Sequence, residues 1–451
     1  MRIPDAAESL GALWRTGAWS REKSDAFRAR RLRRMVRHAF DNVPYYRRHF
    51  ERQGLRPDEI RSLADLGRIS LTSKHDLQVQ PANDTLAAGR KPEGLIARWT
   101  EGSTGAPFTI RRTLFEELLL NTFRLRAFHW GGMKLRDRRL FVAAAPDDST
   151  SLDQTRSWLL GLLNRVGFLP HRVVDAWTSP AELGEILRRY EPDIVGGYPS
   201  SLAKLTEYLS QHDAELKPPR YVGSGGETLT PDLRQQIEEG LRARVYDSYG
   251  ANEINLIAYE CPQTGEMHVM DDTVIIEVLN GGRPVAEGER GEVVVTALHS
   301  FAMPFIRYRL EDSVIKGKDA CGCGKPFSTI RSILGRTSEY FPLPDGREIH
   351  AYELMNEVWD ESWVRNWVRR VQIIQERRDR VVVRLVLADE LAETRLPALK
   401  EKLQGVTGSD VEVVIVLQSE IPSAPAGKSR AYISLVNEPE RKSDPQFTSG
   451  T

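Results

Sequence analysis

The sequence predicts an α/β protein: a large N-terminal domain of α/β layers with a β-rich subdomain, followed by a small α+β C-terminal domain. Three changes of pattern along the 451 residues support this prediction. From residue 114, short apolar runs that end in Gly, Ser or Tyr alternate with helical patterns, which is typical of parallel α/β units with loops at the carboxyl ends of the strands. Past residue 265 the chain is β-rich and punctuated by turns, which predicts a barrel or small sheet beside the α/β core. Past residue 335 a hairpin pattern leads into a helix and two further strands.

The elements follow one another in a regular order. The α/β region begins with a helix over 114–130, a strand over 139–145 and a helix near 153–166, and three strand-and-turn segments, "DIVGGYPSS", "RYVGSGGE" and "ARVYDSYGANE", come next. In the last region, "VQIIQ" and "RVVVRLVLA" predict a hairpin around "ERRDR", before a helix that ends near residue 404 and the strands "DVEVVIVL" and "AYISLV". We expect a large domain over 1–335, with its β-rich part at about 260–334, a small domain over 336–437 and a polar tail over 438–451.

Composition excludes some classes of partner. The chain has 63 Lys and Arg against 63 Asp and Glu, so its summed charge gives no sign of nucleic acid or a membrane surface as a partner. No apolar window is long enough for a membrane span, and residues 1–20 lack the apolar region of a signal peptide, so we expect a cytoplasmic protein. The arginine-rich segment 20–53 has apolar residues at helical spacing, which favours a solvated amphipathic helix over nucleic-acid contact.

A loop of small residues follows "RW" at 98–99 and reads "TEGSTGAP". Its glycines permit close backbone approach, its hydroxyls can donate hydrogen bonds, and successive amides can form an anion-binding nest. A phosphate is the natural ligand. The P-loop pattern is absent, because Ala106 stands where that pattern continues and no Lys follows. The candidate phosphate-binding residues are Thr100, Gly102, Ser103, Thr104 and Gly105.

This loop is the first of six motifs in a fixed order, the others being "GSGGE" (223–227), "YGANE" (249–253), "YRLED" (308–312), "GR" (335–336) and "APAGKSR" (424–430). In this order and spacing the chain resembles the adenylate-forming superfamily, specifically its phenylacetate-CoA ligase and CapK-like branch. "NVPYYRRHF" at 42–50 is similar to the entry segment of that branch. The resemblance implies activation of a carboxylic acid with ATP to an acyl-adenylate, release of pyrophosphate, transfer of the acyl group to an acceptor, and a mobile small domain.

The resemblance also implies roles for individual residues. Nucleotide-binding positions map onto Gly225, Gly226, Glu227, Asp247, Ser248, Tyr249 and Gly250. Glu253 matches the acid that binds Mg²⁺, Asp312 the carboxylate that accepts both ribose hydroxyls, and Arg336 an arginine near ribose or phosphate. Lys428 matches the catalytic ammonium, a compact cation suited to the charge that develops between carboxylate and α-phosphate.

The chain departs from the family at several of these motifs. Glu101 and Ala106 replace the residues usual in the phosphate loop, and Asn252 replaces a common Ser or Thr. Ser338 lies where a hinge aspartate is usual. These departures keep open a catalytically degenerate module that binds nucleotide without reacting.

The three cysteines suggest a metal site. Cys261 and His268 belong to "CPQTGEMH", while Cys321 and Cys323 belong to "CGCG". Three thiols and one imidazole form a closed structural zinc set, although the spacing is not a standard pair of Cys-x-x-Cys motifs. Buried inert thiols and a redox role are the alternatives. Some relatives carry similar positions, which favours zinc.

The acid is expected near the strand ends, where Tyr198, Tyr246 and Tyr249 make an aromatic or arylacetic acid plausible. Coenzyme A is the first choice of acceptor. An amine, as in amide-forming relatives, comes second, and a carrier-protein thiol comes third. The sequence does not set the oligomeric state.

Overall fold

The computed structural model describes residues 8–9, 11–13, 15–100, 108–143, 161, 170–176, 178–212, 216–336, 340–351, 354, 368–387, 394–421 and 432–436. The chain divides into two compact units, Met1–Ile333 and Leu334–Thr451. None of the helices in the described part of the chain is long and apolar enough to cross a membrane.

Two helices open the first unit, α1 (Arg21–Asn42) and α2 (Pro44–Arg52). Ser20 caps α1 by accepting a hydrogen bond from the Lys23 amide, and Pro44, which lacks an amide proton, starts α2. The predicted apolar stripe of α1 is buried, and it contains Leu32, Met35, Val36 and Ala39. Shorter pieces follow: α3 (Lys74–Gln78), α4 (Ala82–Thr85) and the 3₁₀ turns Thr16–Ala18, Pro57–Glu59, Leu63–Arg68 and Pro92–Gly94.

The arginines of α1 are engaged with carboxylates. Arg21 and Arg28 pair with the buried Asp271, and Arg30 and Arg34 pair with Glu8. A basic helix that binds nucleic acid offers its cations to phosphates, whereas these cations fasten α1 to its own unit. The pairing therefore favours the packed helix over the nucleic-acid interpretation.

One sheet of twelve strands dominates the first unit. Its strands are β3 (Arg139–Ala143), β4 (His171–Asp175), β5 (Ile194–Gly197), β6 (Tyr221–Gly225), β7 (Val245–Ala251), β8 (Asn255–Glu260), β9 (Met267–Val269), β10 (Val274–Asn280), β11 (Arg283–Pro284), β12 (Arg290–Ala297), β13 (Tyr308–Lys316) and β14 (Thr329–Arg336). Their order is β11-β10-β12-β13-β14-β9-β8-β7-β6-β5-β3-β4. A separate ribbon pairs β1 (Ile96–Thr100) with β2 (Phe108–Arg112).

Helix α5 (Leu114–Trp130) precedes the parallel strands, and α6 (Pro180–Tyr190), α7 (Pro199–Gln211) and α8 (Pro231–Leu241) connect them. The predicted helix over 114–130 is confirmed, and Thr113 caps it in a reciprocal box with Glu116. The predicted helix near 153–166 lies outside the described residues apart from residue 161. Apolar side chains of α6, α7 and α8 form one core with those of β3, β5, β6 and β7.

The β-rich region was expected to form a barrel or small sheet beside the α/β core. That expectation is wrong: β7 turns at residues 252–254 and pairs antiparallel with β8, so the later strands continue the same hydrogen-bonded sheet. The sheet is parallel from β4 to β7 and antiparallel beyond it. A tight turn needs few residues, and this one adds the next strand directly at the exposed edge of β7.

The second unit is built on a four-stranded sheet in the order β19-β18-β17-β20. The predicted hairpin is β17 (Val368–Arg377) with β18 (Arg380–Leu387), and helix α9 (Leu396–Thr407), β19 (Glu412–Leu417) and β20 (Tyr432–Ser434) follow as expected. A small ribbon pairs β15 (Tyr340–Pro342) with β16 (Glu348–His350). The hydrophobic core of the second unit includes Ile373, Val383, Leu399 and Leu403, all fully buried.

Candidate functional site

Three neighbouring parallel strands bring the predicted nucleotide-binding segments together. β5, β6 and β7 are in register, with Gly197 opposite Ser224 and Ser224 opposite Asp247. Gly225 lies opposite Ser248 one residue further on. The carboxyl ends of adjacent parallel strands form one edge, where ligands of open α/β sheets bind. "GGYPSS", "GSGGE" and "YGANE" therefore meet at this edge, as the sequence predicted.

Two glycines at this edge are required by close contacts. A Cβ on Gly225 would lie 2.6 Å from Ser248 Oγ, and a Cβ on Gly226 would lie 2.7 Å from the ring of Tyr198. Gly226 also has a φ of +82°, a conformation that side chains disfavour. The glycines keep the backbone close to the next strand, and they let the Tyr198 ring cover the loop.

The Glu227 carboxylate makes two hydrogen bonds within the fold. Its Oε1 accepts a hydrogen bond from Ser200 Oγ at 2.9 Å, and its Oε2 accepts one from the Ser200 amide at 3.0 Å. Ser200 is in the first turn of α7, where free amides favour an anion. This carboxylate therefore fastens the β6 loop to α7, in addition to any contact it makes with nucleotide.

Asp247 is held in a polar network of carboxylates. Burial raises its pKa to about 7, and the nearby Glu260 carboxylate acts in the same direction. The Ser248 amide donates to Asp247 Oδ1 at 2.9 Å, and the Asp247 amide donates to Glu260 Oε2 at 3.0 Å. Arg234 balances Glu260 through a 2.7 Å ion pair. Near neutral pH, Asp247 therefore exchanges readily between its neutral and ionised forms.

Two tyrosine–carboxylate pairs connect β13 with the segment 249–253. Tyr249 donates its hydroxyl hydrogen to Asp312 Oδ2 at 2.6 Å, and Tyr308 donates to Glu253 Oε1 at 3.0 Å. Tyr249, Tyr308 and Glu253 are all buried. The first pair joins residues that the resemblance assigns to adenine and ribose. The second involves Tyr308, which sequence reasoning missed although it begins the quoted "YRLED" motif.

The β1–β2 ribbon carries the predicted phosphate loop at its tip, because Thr100 pairs with Phe108 and residues 101–107 connect them. Gly102, Ser103, Thr104 and Gly105 lie outside the described residues, and of Thr100 only the backbone is described. Near the loop end of the ribbon, Asn252 Nδ2 donates to the Trp99 carbonyl at 2.7 Å, and Arg112, at the opposite end of the ribbon, donates to the Asn252 carbonyl. The ribbon is thus tied to the turn that carries Glu253.

The aromatic residues expected around the acid are separated. Tyr246 stacks edge-on against Tyr221 at 5.4 Å and lies under the guanidinium of Arg244, near the amino end of β7. Tyr246 is the second residue of β7, so it lies away from the carboxyl edge, and its side chain packs in a small cluster that includes residues of α5. Tyr198 remains at the edge over Gly226.

The two remaining predicted residues belong to the second unit. Arg336 is exposed at the end of β14. Lys428 lies outside the described residues, as do Ser338 and the segment 422–431.

The fold brings all four predicted zinc ligands close together. One ligand atom from each of Cys261, His268, Cys321 and Cys323 lies within 4.8 Å of the other three. His268 Nε2 is 3.3 Å from Cys323 Sγ. Two tight turns present the thiols, and each contains a glycine at positive φ, Gly265 at +76° and Gly324 at +87°. The cluster therefore joins the turn before β9 to the turn before β14.

The protonation states within the cluster are uneven. Burial lowers the pKa of His268 to about 4, helped by the Lys325 ammonium, so the imidazole is neutral at neutral pH. Burial raises the pKa of Cys321 to about 11. Cys261 shows the opposite direction: burial opposes ionisation, but hydrogen bonds from Thr264 and neighbouring amides lower its pKa.

Comparison with known families gives two matches. The family model of AMP-binding enzymes matches residues 123–302, and that of the CapK C-terminal domain matches residues 342–435. The first spans α5 and most of the large sheet, and the second lies within the second unit.

Curated relatives and solved structures agree with these families. Phenylacetate-coenzyme A ligase of Thermus thermophilus is 27% identical over 455 residues, which cover 92% of this chain and 97% of that protein. Protein CapK of Staphylococcus aureus is 24% identical over 55% of this chain and 54% of its own. The crystal structure of 2-hydroxyisobutyryl-CoA ligase in its postadenylation state has a TM-score of 0.77 at 22% identity, covering 94% of this chain and 91% of that one. The fold is that of these ligases.

Proposed function

Because the chain belongs to the adenylate-forming superfamily, in the branch of phenylacetate-CoA ligase and CapK, we propose that it activates a carboxylic acid with ATP to an acyl-adenylate and passes the acyl group to coenzyme A. The observation that carries this proposal is the carboxyl edge of β5, β6 and β7, where the predicted nucleotide segments meet beside the pairs Tyr249–Asp312 and Tyr308–Glu253. We propose an aromatic or arylacetic acid as the substrate.

The nucleotide is proposed to lie along this edge. The backbone of Gly225 and Gly226 and the side chains of Asp247, Ser248 and Tyr249 would contact adenine, with Gly250 next to them in β7. Asp312 accepts from Tyr249 through Oδ2, and it would accept the ribose hydroxyls through its remaining lone pairs. Glu227 would contribute mainly by holding the loop against α7.

The phosphates require cationic and amide partners, because attack of a carboxylate on a phosphate brings two anions together. The loop residues Thr100, Gly102, Ser103, Thr104 and Gly105 are proposed to donate to the phosphates. Glu253 would hold Mg²⁺ through Oε2, because Oε1 accepts the hydrogen bond from Tyr308. Mg²⁺, when bound, neutralises phosphate charge and holds the triphosphate in place. Lys428 and Arg336 are assigned to the reaction by resemblance alone.

The acceptor follows the relatives. Several curated relatives are phenylacetate-coenzyme A ligases, which supports coenzyme A. An amine stays the alternative acceptor, by resemblance to amide-forming members of this branch, and a carrier-protein thiol stays third. All three choices share the adenylation step.

The test is ATP–pyrophosphate exchange over a panel of aromatic, arylacetic and short aliphatic acids, followed by product analysis with coenzyme A and with amines. The proposal expects exchange that depends on one class of acid, and a CoA thioester as the product. Tight ATP binding without exchange on any acid would instead support the degenerate module that Glu101, Ala106 and Ser338 leave open.

We also propose that Cys261, His268, Cys321 and Cys323 bind a structural zinc ion. Tetrahedral zinc with Zn–S bonds of about 2.3 Å places its sulfurs about 3.8 Å apart, which fits ligand atoms within 4.8 Å of one another. A set of four protein ligands leaves no open position, so the residues present fit a fastening role rather than catalysis. The ion would crosslink the turns before β9 and β14.

A further inference from the structure

We propose that Tyr308 is a positioning residue for the metal-binding carboxylate: its hydroxyl holds Oε1 of Glu253, so that Oε2 is presented to the metal of the metal–nucleotide complex. This inference rests on the proposed function, and it deepens that function by adding a residue to the site. It starts from the 3.0 Å hydrogen bond between two buried side chains that are 55 residues apart in sequence.

The phenol is the donor of this bond. The ordinary pKa of a tyrosine is about 10, so the hydroxyl is protonated near neutral pH and donates to Oε1 of Glu253. A buried carboxylate with only one oxygen bonded retains acceptor capacity on the other, which is the capacity a hard cation needs.

The Tyr308 backbone is clamped on both sides. The Thr72 amide donates to the Arg307 carbonyl and the Arg309 amide donates to the Thr72 carbonyl, both at 2.9 Å. Phe305 packs edge-on against the Tyr308 ring at 5.1 Å. A clamped ring holds its hydroxyl at one point in space.

Strain marks the same segment. Arg307 has a φ of +47° and Glu311 a φ of +62°, both unusual for residues other than glycine. Such conformations cost on the order of 1–3 kcal/mol each and persist where the surrounding structure imposes them, often at functional sites. They bracket Tyr308 and precede Asp312, so the strained segment contributes one residue to each of the two tyrosine–carboxylate pairs.

The opposite side of Glu253 is braced as well. Asn252, its neighbour in the turn, donates a hydrogen bond to the Trp99 carbonyl near the loop end of the β1–β2 ribbon. Tyr308 therefore fixes the carboxylate while Asn252 fixes the turn that carries it. Removal of a residue that orients a metal ligand typically costs 10–100-fold in metal affinity.

The experiment compares Tyr308→Phe with the wild type and with Tyr46→Phe. Tyr46 is a buried tyrosine of the same core whose hydroxyl donates to the Pro304 carbonyl and accepts from the Ile306 amide, contacts that do not involve Glu253. ATP affinity is measured by calorimetry over a range of Mg²⁺ concentrations, together with the melting temperature. We expect Tyr308→Phe to need about tenfold more Mg²⁺ for half-maximal tightening of ATP binding. We expect Tyr46→Phe to lower the melting temperature only.

A double-mutant cycle with Glu253→Gln identifies the route of the effect. If Tyr308 acts through the carboxylate, Tyr308→Phe changes the Mg²⁺ requirement in the wild type and adds nothing in the Glu253→Gln background. An unchanged Mg²⁺ requirement in Tyr308→Phe, or the same change in both backgrounds, overturns the inference and leaves the proposed function standing. Failure of the wild type to bind ATP with any Mg²⁺ dependence overturns both. If Tyr308→Phe does not fold, Glu253→Asp, whose shorter carboxylate withdraws from the phenol, must show the raised Mg²⁺ requirement, and a normal requirement would contradict the inference.

Discussion

Tyr249 donates a 2.6 Å hydrogen bond to Asp312 and so ties the end of β7 to β13. β7 carries the segment proposed to contact adenine, and β13 carries the carboxylate proposed to accept ribose. The two are separated by three other strands in the sheet order, β8, β9 and β14, yet they meet through one phenol. The nucleoside end of the site is therefore preorganised by this contact.

Replacement of Asp312 by Asn should weaken ATP binding about 10–100-fold, because a hydrogen bond to a charged group contributes about 1.5–3 kcal/mol. Tyr249→Phe should cost about tenfold, since Asp312 keeps its charge but loses its orientation. Calorimetric titration with ATP measures both. Glu292→Gln is the control, because Glu292 pairs with Arg309, which is on the same strand as Asp312, but Glu292 is outside the proposed site. Equal affinity for Asp312→Asn and wild type would remove Asp312 from the nucleotide site.

The pH dependence of stability should report on Asp247. Its pKa is about 7 in the folded protein against about 3.9 in an unfolded chain, so between these values the folded state binds the proton more tightly. The stability contributed by this group is full below about pH 4 and is lost as the pH rises through 7. Asp247→Asn lacks this loss. The variant should therefore gain about 3 kcal/mol relative to the wild type between pH 4.5 and 7.5.

Urea unfolding of both proteins at each pH measures that difference. Glu292→Gln, altered at an exposed ion pair, should follow the wild-type profile. A constant difference between Asp247→Asn and the wild type across the range would show that Asp247 ionises normally.

Metal content tests the cysteine cluster. The purified protein should hold about one zinc ion per chain, and Cys321→Ser or Cys323→Ser should lose it and melt at a lower temperature, because binding free energy at a structural site adds to folding free energy. Thr264→Ala is the matched control, since Thr264 Oγ1 lies 3.4 Å from Cys321 Sγ without being part of the ligand set. Metal-free wild type with the same melting temperature as zinc-loaded protein would contradict the assignment.

Stability should depend on the buried pair Arg126–Asp272. Arg126 Nη2 donates to Asp272 Oδ1 at 3.0 Å, and Thr16 donates to Asp272 Oδ2 at 2.6 Å. Asp272→Asn leaves a buried guanidinium without its counter-charge, which typically costs about 3–5 kcal/mol. Glu185→Gln, which breaks exposed pairs on α6, should cost less than about 1 kcal/mol. Chemical unfolding measures the free energy of unfolding of both variants. Similar decreases in the two would show that the buried pair stabilises the fold no more than the exposed pairs do.

Local patterns predicted much of the fold. Helix α5 followed from the helical pattern over 114–130, and the β17–β18 hairpin followed from two apolar runs around "ERRDR". Such elements depend on neighbours in sequence. The motif order predicted the meeting of Gly225, Asp247 and Tyr249, because parallel strands place their carboxyl ends at one edge.

Contacts between distant residues could not be predicted in this way. The continuation of the sheet from β9 into β14 depends on pairings such as Thr329 with His268, and the Tyr308–Glu253 bond joins residues 55 positions apart. Tyr246 was assigned to the acid pocket because it is aromatic, yet its place near the start of β7 turns it toward Tyr221. Residue type indicates what a side chain can do, whereas its position on the strand decides what it touches.

Oxygen tracing tests the central claim most directly. The acid that supports exchange is prepared with ¹⁸O in both carboxylate oxygens and incubated with the protein, Mg²⁺, ATP and coenzyme A, and the products are examined by mass spectrometry. Adenylation transfers one carboxylate oxygen to the nucleotide, so the account predicts AMP that carries one ¹⁸O, pyrophosphate without label, and loss of this AMP in Lys428→Ala. Unlabelled AMP, or ADP with ¹⁸O in orthophosphate, would contradict it.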